Sequence, residues 1–461
     1  MDAKSSSLVN ETLNSAFDLL RRMTPEHDLL RLAPMGPAAV YTTLVTLWMM
    51  TLQRLDGGSS LVAVVKDVLE HSKSLLPNNK RVREGSLSSN SGAFSEARKR
   101  LPLEVVEFFA KSVCRSLMNR SPSWFDAQRA FIIDGTTFTV SPTSELKLAF
   151  PPATNQHGVS VWPVLMLLVA HELQSGCALI PEIGAMYGED NTSEARMAAA
   201  LAGRLPPRSI VFADSGFGIF SVAHAMIGQG HDILFRMTKS RFKKLRRRAE
   251  LIERTESAST YRVRWAPSDA DRRTNPELPL NAVLEVLLHE VTLPKGDVLL
   301  LVTTLPYRSD EAAEAYSYRY DVEHEIRDLK VTLGLEKIRA KSEEMVRKEL
   351  LCSVVAYNLV QEFRREAAKI ANLPPRRLSF TGVWTTFRIT LMQQAPADPA
   401  AWRDRYEKAL KMAAKDKLPN RPGRSYPRRA HKRCPKSTKF MRSTAAPQPP
   451  ASDPREGPPT N

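Results

Sequence analysis

The order of hydrophobic and polar positions divides the chain into a helical first part and a mixed second part. Within residues 1–120, apolar residues such as Phe17 and Leu20 recur at the spacing of an amphipathic helix. From about residue 129 the pattern changes to short β-rich runs that alternate with helical ones, for example 129–140 and 192–205. This alternation predicts an α/β domain with a mixed sheet.

The pattern changes twice more toward the C-terminus. Strand-like runs continue over 239–305 without a convincing helix, which predicts an all-β insertion inside the α/β domain. Helical periodicity resumes over 310–334 and 342–370. The tail from about residue 418 is rich in Pro and Arg and has few apolar side chains, so we expect it to be disordered in isolation.

The charge balance indicates a polyanionic partner. The chain has 66 Lys and Arg against 50 Asp and Glu, a net charge of +16, and residues 408–442 hold thirteen of these cations and one acid. Each phosphate that such a surface neutralises releases a condensed counterion, which favours binding to nucleic acid. A soluble basic protein without such a partner is the alternative that charge alone leaves open.

The cysteines and the apolar stretches exclude other classes. Four cysteines are far apart, with no C-x-x-C pair, so neither a disulfide scaffold nor a zinc site is indicated. The most apolar stretches, 39–52 and 159–170, are too short to span a bilayer. The first residues lack the pattern of a signal peptide. We expect a reduced, cytoplasmic protein with no membrane segment.

Two aspartates lie where β-rich runs end or turn. Asp134 is within the run 129–140, and Asp214 ends the run 209–214 just before a glycine-rich stretch. Carboxylates on neighbouring strands can share a metal ion, and Mg²⁺ prefers such hard oxygen ligands. An isolated Asp at a strand end is more often a turn or cap residue.

A helical segment carries a more informative pattern. Four of its residues, at 100° per residue, fall within about 60° of one another on a helix. They are Tyr316, Arg319, Glu323 and Lys330. A separate apolar stripe would pack such a helix on the core. Charges at this spacing usually mean only a solvated, salt-bridged surface, but an acid between two cations also suits a site for metal and phosphate.

These four residues match, without a gap, the Y-R-E-K signature of DDE transposases of the bacterial insertion-sequence family four. IIDGT at 132–136 and FADSGFG at 212–218 resemble the family segments that hold its two catalytic aspartates. The family's N-terminal block is similar to SGAFSEARKRLP at 91–102, and its basic C-terminal ending is similar to the basic segment 420–436. The chain therefore resembles this family over nearly its whole length.

The resemblance implies a ribonuclease H-like core interrupted by the β-rich insertion. In that core Asp134, Asp214 and Glu323 would bind two Mg²⁺ or Mn²⁺ ions. Metal-activated water would nick one strand at the element's end, and the freed 3′-hydroxyl would attack the opposite strand to form a hairpin. The hairpin would then be reopened, and the 3′-hydroxyl released in this way would attack target DNA. A homodimer would hold the two ends in a synaptic complex, in the bacterial cytoplasm at the nucleoid.

The resemblance also implies where DNA is bound. The partner is double-stranded DNA, as terminal inverted repeats and as target, and Tyr316, Arg319 and Lys330 would contact phosphates near the transposon end. Family members are also thought to stack a flipped base on an aromatic residue. Trp265 is the candidate here, and a core tryptophan is the more frequent alternative. Glu194 opens a helix after two capping residues, which favours a capping role over a fourth metal ligand.

The hydrophobic pattern and the resemblance together predict five segments of the chain. They are a helical DNA-binding domain at 1–122, the first part of the catalytic core at 123–238, the β-rich insertion at 239–307, the helical second part of the core at 308–400, and the basic tail at 401–461. A domesticated, non-catalytic DNA-binding protein and a general metal-dependent nuclease remain alternative functions. Within the first segment, Arg98, Lys99 and Arg100 give one helix a basic face that suits either DNA contact or solvation.

Overall fold

A computed structural model describes residues 15–419, apart from 35, 37, 125–127, 156–157, 333, 335–337, 394–395 and 397, and it describes the backbone alone at 320–323 and 331–332. The tail from 420 onward, which we expect to be disordered, lies outside the described residues. No helix of the described part is long and apolar enough to cross a membrane.

The first part of the chain is helical, as its apolar spacing predicts. Its helices are α1 (Ala16–Arg22), α2 (Glu26–Leu32), α3 (Thr43–Leu55), α4 (Leu61–His71), α5 (Lys80–Arg83), α6 (Gly92–Arg100) and α7 (Leu103–Asn119). The hydroxyls of Thr42 and Ser60 accept first-turn N–H groups and so begin α3 and α4. Every residue of α3 is buried, because other helices surround it.

One mixed sheet runs through the rest of the protein. Its strands are β1 (Ala130–Thr139), β2 (Pro152–Asn155), β3 (Gly158–Glu172), β4 (Glu182–Ala185), β5 (Ile210–Ala213), β6 (Asp232–Arg236), β7 (Glu250–Arg254), β8 (Ala258–Trp265), β9 (Leu284–Thr292) and β10 (Val298–Thr303). The order is β2-β3-β1-β5-β6-β10-β9-β8-β7, and β4 pairs with β3. Strands β1, β5 and β6 are parallel to one another, while β3 and β10 run antiparallel to β1 and β6.

The remaining helices pack on this sheet or extend from it. They are α8 (Ser144–Ala149), α9 (Glu194–Ala202), α10 (Phe220–Gly228), α11 (Lys239–Arg246), α12 (Asp269–Thr274), α13 (Ser309–Ser317), α14 (Asp321–Arg327), α15 (Glu343–Ala371), α16 (Phe380–Leu391) and α17 (Pro399–Ala413). Helix α15 begins after Ser342, whose hydroxyl caps it. It contacts α3, α7, α16 and α17, and so joins the N-terminal helices to the rest.

Both faces of the sheet are covered. Along β1, Phe131 and Ile133 belong to the large apolar cluster that includes the residues of α9 and α15. Ala130 and Ile132 point to the other face and belong to a smaller cluster with residues of α13. Burial on both faces explains why the parallel strands read as unbroken apolar runs in the sequence.

The segment 239–307 differs from its predicted all-β character. Helices α11 and α12 lie within it, and its strands continue the main sheet because β10 pairs with β6. Phe242 is the buried residue of α11, so that helix has no apolar stripe for a periodicity argument to detect. The prediction of strands here is confirmed, and the prediction that helices are missing is wrong.

Two other boundaries differ from the expectation. The helical periodicity of 310–334 is not one helix: a 3₁₀ turn (Tyr318–Tyr320) separates α13 from α14, and a π-helical turn (Asp328–Thr332) follows α14. Helix α17 contacts α15 and α16, and its Trp402 is fully buried. Residues 401–413 therefore belong to the helical part rather than to a tail.

Candidate functional site

Asp134 lies in the middle of β1. The four residues before it are buried and fix the strand in the sheet, whereas the Asp134 side chain is 25% exposed. Its carboxylate accepts a hydrogen bond of 2.9 Å from the backbone N–H of Gly135. A guanidinium nitrogen of Arg319 lies 3.9 Å from the other carboxylate oxygen.

Asp214 follows directly on β5, the parallel neighbour of β1. Ile132 stands opposite Phe212 in the register of these strands, so Asp134 and Asp214, each two residues further on, stand at the same level. Neighbouring strands are about 4.8 Å apart. The Asp214 carboxylate accepts a hydrogen bond of 2.8 Å from the N–H of Gly216. The structure thus brings together the two aspartates that the sequence singles out.

The loop after Asp214 is held from two sides. Arg241 of α11 donates hydrogen bonds to the carbonyl oxygens of Ser215 (2.9 Å) and Gly218 (3.5 Å). Gly218 lies so close to the carbonyl oxygen of Arg236 that a side chain there would clash with it. The basic helix that the sequence does not predict therefore positions the second aspartate.

The backbone of Glu323 lies in α14, which packs on β1. Arg319, before this helix, reaches Asp134. Lys330, after it, donates to the hydroxyl of Thr136 (3.3 Å) and to the carbonyl oxygen of the next residue (2.7 Å). Because both flanks contact β1 close to Asp134, the segment that carries Glu323 crosses beside that aspartate. The side chain of Glu323 lies outside the described part.

A buried polar cluster supports this segment from behind. Glu325 forms an ion pair of 2.7 Å with Arg376, which also donates to the carbonyl oxygen of Leu173 just after β3. The ring of His171 lies 3.5 Å from Glu325, and burial lowers the pKa of that histidine to about 3. The imidazole is neutral at ordinary pH, so Arg376 provides the cation that holds α14 against β3.

Tyr316 does not have the place predicted for it. Its side chain is 1% exposed and belongs to the apolar cluster beneath the sheet, so in this structure it does not face solvent where DNA would approach. The prediction assumed one continuous helix from 316 to 330. The 3₁₀ turn after Ser317 interrupts that helix, and Tyr316 packs with the apolar residues of the sheet.

Trp265 is a core residue. It is 5% exposed, and its ring meets that of Phe220 edge to face at 5.6 Å. A flipped base needs an accessible ring to stack on. In this structure the ring of Trp265 is not accessible to a base and packs in the core, which was the alternative.

Glu194 is the acid that the sequence argument sets aside. The hydroxyl of Ser193 caps α9 by accepting the N–H of Arg196, so the cap does not need Glu194. Its carboxylate instead lies against the backbone of Gly135, in the space that a side chain on that glycine would fill. The signal in the sequence is the glycine after Asp134, which leaves room for a neighbouring group.

Burial and neighbouring charges raise the pKa of two acids near this site, Asp134 and Glu194. Burial raises the pKa of Asp134 to about 6, and the charges of Asp214 and Glu194 add to this against the opposing effects of the Gly135 N–H and Arg319. Burial and the charge of Asp214 also raise the pKa of Glu194. The site is therefore deficient in positive charge.

This donor set fits a hard divalent cation. Carboxylate oxygens are the ligands that Mg²⁺ and Mn²⁺ prefer, and the negative charges here exceed the nearby positive charge of Arg319. Among the described side chains, no three acids, histidines or cysteines lie close enough together to hold an ion. The carboxylate of Glu323 lies outside the described side chains, so this finding does not include it.

The raised pKa of Asp134 predicts how replacing this side chain changes the free energy of unfolding. A carboxyl that holds its proton more tightly when folded makes the folded state less stable as pH rises from about 4 through about 6. We expect Asp134→Asn, in EDTA, to stabilise the protein by roughly 1–3 kcal/mol at pH 8 and by almost nothing at pH 4. Urea unfolding at both pH values measures this, and an equal difference at both would contradict it.

Comparisons with known proteins identify the family to which the chain belongs. Residues 126–359, just over half of the chain, match the family model described as "Transposase DDE domain". The transposase InsG for insertion sequence element IS4, from Escherichia coli (strain K12), is 24% identical over 350 residues, which cover 73% of this chain and 75% of InsG. The cryo-EM structure of the piggyBac transposase synaptic complex with hairpin DNA has a TM-score of 0.39 and 10% identity, covering 90% of this chain and 87% of that one.

Proposed function

Since this chain belongs to the DDE transposase family, we propose that it uses Asp134, Asp214 and Glu323 to cut DNA at the ends of an insertion sequence and to join those ends to target DNA. The observation that carries the proposal is that Asp134 lies on β1 and Asp214 directly follows β5, the parallel neighbour of β1, beside the segment that contains Glu323. The resemblance to insertion-sequence family four is confirmed by the family match and by InsG.

The core that holds these acids is, in our proposal, ribonuclease H-like. Strands β4, β3 and β1 are antiparallel neighbours, and β5 and β6 continue the sheet parallel to β1. Strands β7 to β10 would then be an insertion that enlarges the sheet between β6 and α13. This arrangement supports the segments proposed from the sequence, with the helical end of the core extended by α17.

We assign the three carboxylates to two Mg²⁺ or Mn²⁺ ions. When bound, such ions activate the attacking oxygen and stabilise the leaving one in phosphodiester chemistry. The protein's own contribution is position: β1 carries Asp134, the end of β5 places Asp214 beside it, and Arg241 fixes the loop that follows Asp214. The Glu325–Arg376 ion pair holds α14, with Glu323, against the sheet.

Arg319 and Lys330 are proposed to contact DNA phosphate at this site. Both reach β1 near Asp134, and a phosphate between them would replace their present partners, a carboxylate, a hydroxyl and a carbonyl oxygen. Arg suits this role because its planar group holds a phosphate through two hydrogen bonds. For Tyr316 we propose packing beneath the sheet instead of a DNA contact.

The partner is proposed to be double-stranded DNA, as terminal inverted repeats and as target, with a homodimer holding the two ends. The net charge of +16 supports a polyanionic partner. Helix α11 adds a local concentration of cations at the loop after Asp214, and most of them are exposed. We propose that DNA approaches the site over this helix and that the N-terminal helices bind the ends.

The test is cleavage of defined DNA by the purified full chain. A fragment that carries the element's own terminal repeats with flanking DNA should be cut at the repeat boundaries in Mg²⁺ or Mn²⁺, and EDTA should prevent this. A fragment of equal length with shuffled ends is the control. Binding of the repeats without cleavage in either metal would favour a domesticated DNA-binding protein. Equal cleavage of both fragments would favour a general nuclease.

A further inference from the structure

Arg241 holds the loop after Asp214 with only part of its guanidinium group. One terminal nitrogen, Nη1, donates to the carbonyl oxygens of Ser215 at 2.9 Å and of Gly218 at 3.5 Å. Arginine has five N–H groups in one plane. Within the described part of the chain, Nε and Nη2 of Arg241 have no hydrogen-bond partner, and neither atom is buried. The guanidinium group can therefore bind a second acceptor while it holds the loop.

The loop itself fixes the carboxylate of Asp214. The N–H of Gly216 donates to that carboxylate at 2.8 Å, and the N–H of Phe217 donates to the carbonyl oxygen of Asp214 at 3.2 Å. The Phe217 side chain is 1% exposed and anchors the loop in the apolar core. Because Arg241 bonds to this loop from α11, a force on the Arg241 side chain acts on the position of the Asp214 carboxylate.

Helix α11 presents further cations on the side of Arg241. Lys244 lies one helical turn after Arg241, and Arg248 follows in the turn beyond the helix. Both are exposed, and no acid of the described part forms an ion pair with either. Arg246, by contrast, forms an ion pair of 2.7 Å with Glu290. Exposed cations that the protein's own acids leave unpaired fit a polyanionic ligand.

We propose that Arg241 binds a DNA phosphate through Nε and Nη2 while Nη1 holds the loop after Asp214, and that Lys244 and Arg248 bind neighbouring phosphates. The inference rests on the proposed function, because the phosphate belongs to the DNA that the site would cut. Two parallel N–H groups on one edge of a guanidinium group match two phosphate oxygens. Arg241 is then a positioning residue, which joins the bound DNA backbone to the loop that places Asp214.

DNA with single neutral phosphates tests the contact. Terminal-repeat fragments, each with one methylphosphonate near the repeat boundary, are titrated in EDTA with the full chain and with Arg241→Gln. At one position we expect neutralisation to weaken binding of the parent protein at least about fivefold. The same substitution should weaken binding of Arg241→Gln less than about twofold, because the contact is already absent. The control is Lys408→Gln, an exposed cation paired with Asp404 on α17, which should respond as the parent protein does.

Hydrogen exchange without DNA tests the hold on the loop. The amides of Gly216 and Phe217 should exchange at least about tenfold faster in Arg241→Gln than in the parent protein. The double variant Lys244→Gln/Arg248→Gln should leave this exchange unchanged. It should instead weaken DNA binding and reduce the slope of affinity against salt by about 2, since two phosphate contacts are lost.

The cleavage rate at saturating DNA separates positioning from binding. Arg241→Lys keeps the charge, but its single nitrogen cannot bind the loop and a phosphate together in the geometry of the guanidinium group. We expect this variant to cut about a hundredfold more slowly and to bind DNA within about threefold of the parent protein. Lys244→Gln/Arg248→Gln should cut at the parental rate once the DNA is saturating.

The outcomes separate this inference from the proposed function. Equal responses of the parent protein and Arg241→Gln to every methylphosphonate, or unchanged exchange of the loop, would overturn the inference, and end cleavage by the parent protein would leave the proposed function intact. A phosphate response without any cleavage by the parent protein would support the contact and contradict the proposed function. If circular dichroism melts show that Arg241→Gln does not fold, Arg241→Lys decides, and parental exchange and cleavage in that variant would overturn the inference.

Discussion

Asp134→Asn, Asp214→Asn and Glu323→Gln each reduce DNA cleavage by at least about a thousandfold and leave binding to the transposon ends intact. The cations supply several kcal/mol of transition-state stabilisation, and each 1.36 kcal/mol is tenfold in rate. An amide keeps the shape of the carboxylate but removes the charge that holds the ion. Single-turnover cleavage of end-labelled DNA gives the rate, and a gel-shift titration gives the affinity.

The matched control for this series is Asp297→Asn, which neutralises an exposed acid in the turn between β9 and β10. It should cut DNA at the parental rate. Cleavage by any of the three site variants at more than a tenth of the parental rate would remove that residue from the metal site. Loss of end binding together with cleavage would instead point to a damaged fold.

The two aspartates could be located from the sequence because the pattern that marks them lies in the residues next to them along the chain. Buried strands have long apolar runs, and an acid that interrupts such a run or ends it is visible without knowledge of the fold. That Asp134 and Asp214 stand level on neighbouring strands depends on the parallel pairing of β1 with β5. The sequence suggests this pairing through strand and helix alternation, but it does not fix the register.

The signature segment shows where local periodicity fails. Its four positions share one stripe only if the helix is regular, and the 3₁₀ and π-helical turns make it irregular. Tyr316 packs with Phe212 and Leu234, which belong to strands far away in the sequence. π-Helical turns are frequent at functional sites, and here one carries Lys330 toward β1. Such departures from a regular helix are caused by tertiary packing, which a helical-wheel projection of the sequence does not include.

Glu194 shows the opposite case, in which a local sequence rule is correct but does not indicate a tertiary contact. Thr192, Ser193 and Glu194 have the composition of a helix start, and Ser193 does cap α9. The position of the Glu194 carboxylate depends on the missing side chain of Gly135 in another strand. In the sequence, only the glycine next to Asp134, a candidate metal ligand, indicates this position of the Glu194 carboxylate.

The junction between the N-terminal helices and the core is also not local. Arg98, Lys99 and Arg100 read as one basic face, yet Arg98 is 5% exposed and turned inward. It forms an ion pair with Glu349 of α15, and Arg54 of α3 pairs with the same carboxylate at 3.0 Å. One buried glutamate thus joins three helices and is the shared partner of two guanidinium groups.

Glu349→Ala is therefore expected to destabilise the protein by about 3–5 kcal/mol, the usual effect of removing one partner from a buried ion pair. Arg54 and Arg98 would then face each other without a counter-charge, and burial already lowers the pKa of Arg54. Urea unfolding measures the change. Hydrogen exchange should show the loss of protection first in α3 and α6, the helices that the glutamate ties to α15.

Two further variants test this explanation. Asp404→Ala removes an exposed acid paired with Lys408 on α17 and should leave the unfolding midpoint nearly unchanged. The triple variant Arg54→Leu/Arg98→Met/Glu349→Leu removes all three charges together and should be far more stable than Glu349→Ala, because no buried charge is left unpaired. If the triple variant is as unstable as Glu349→Ala, packing by these side chains, rather than charge balance, stabilises the junction.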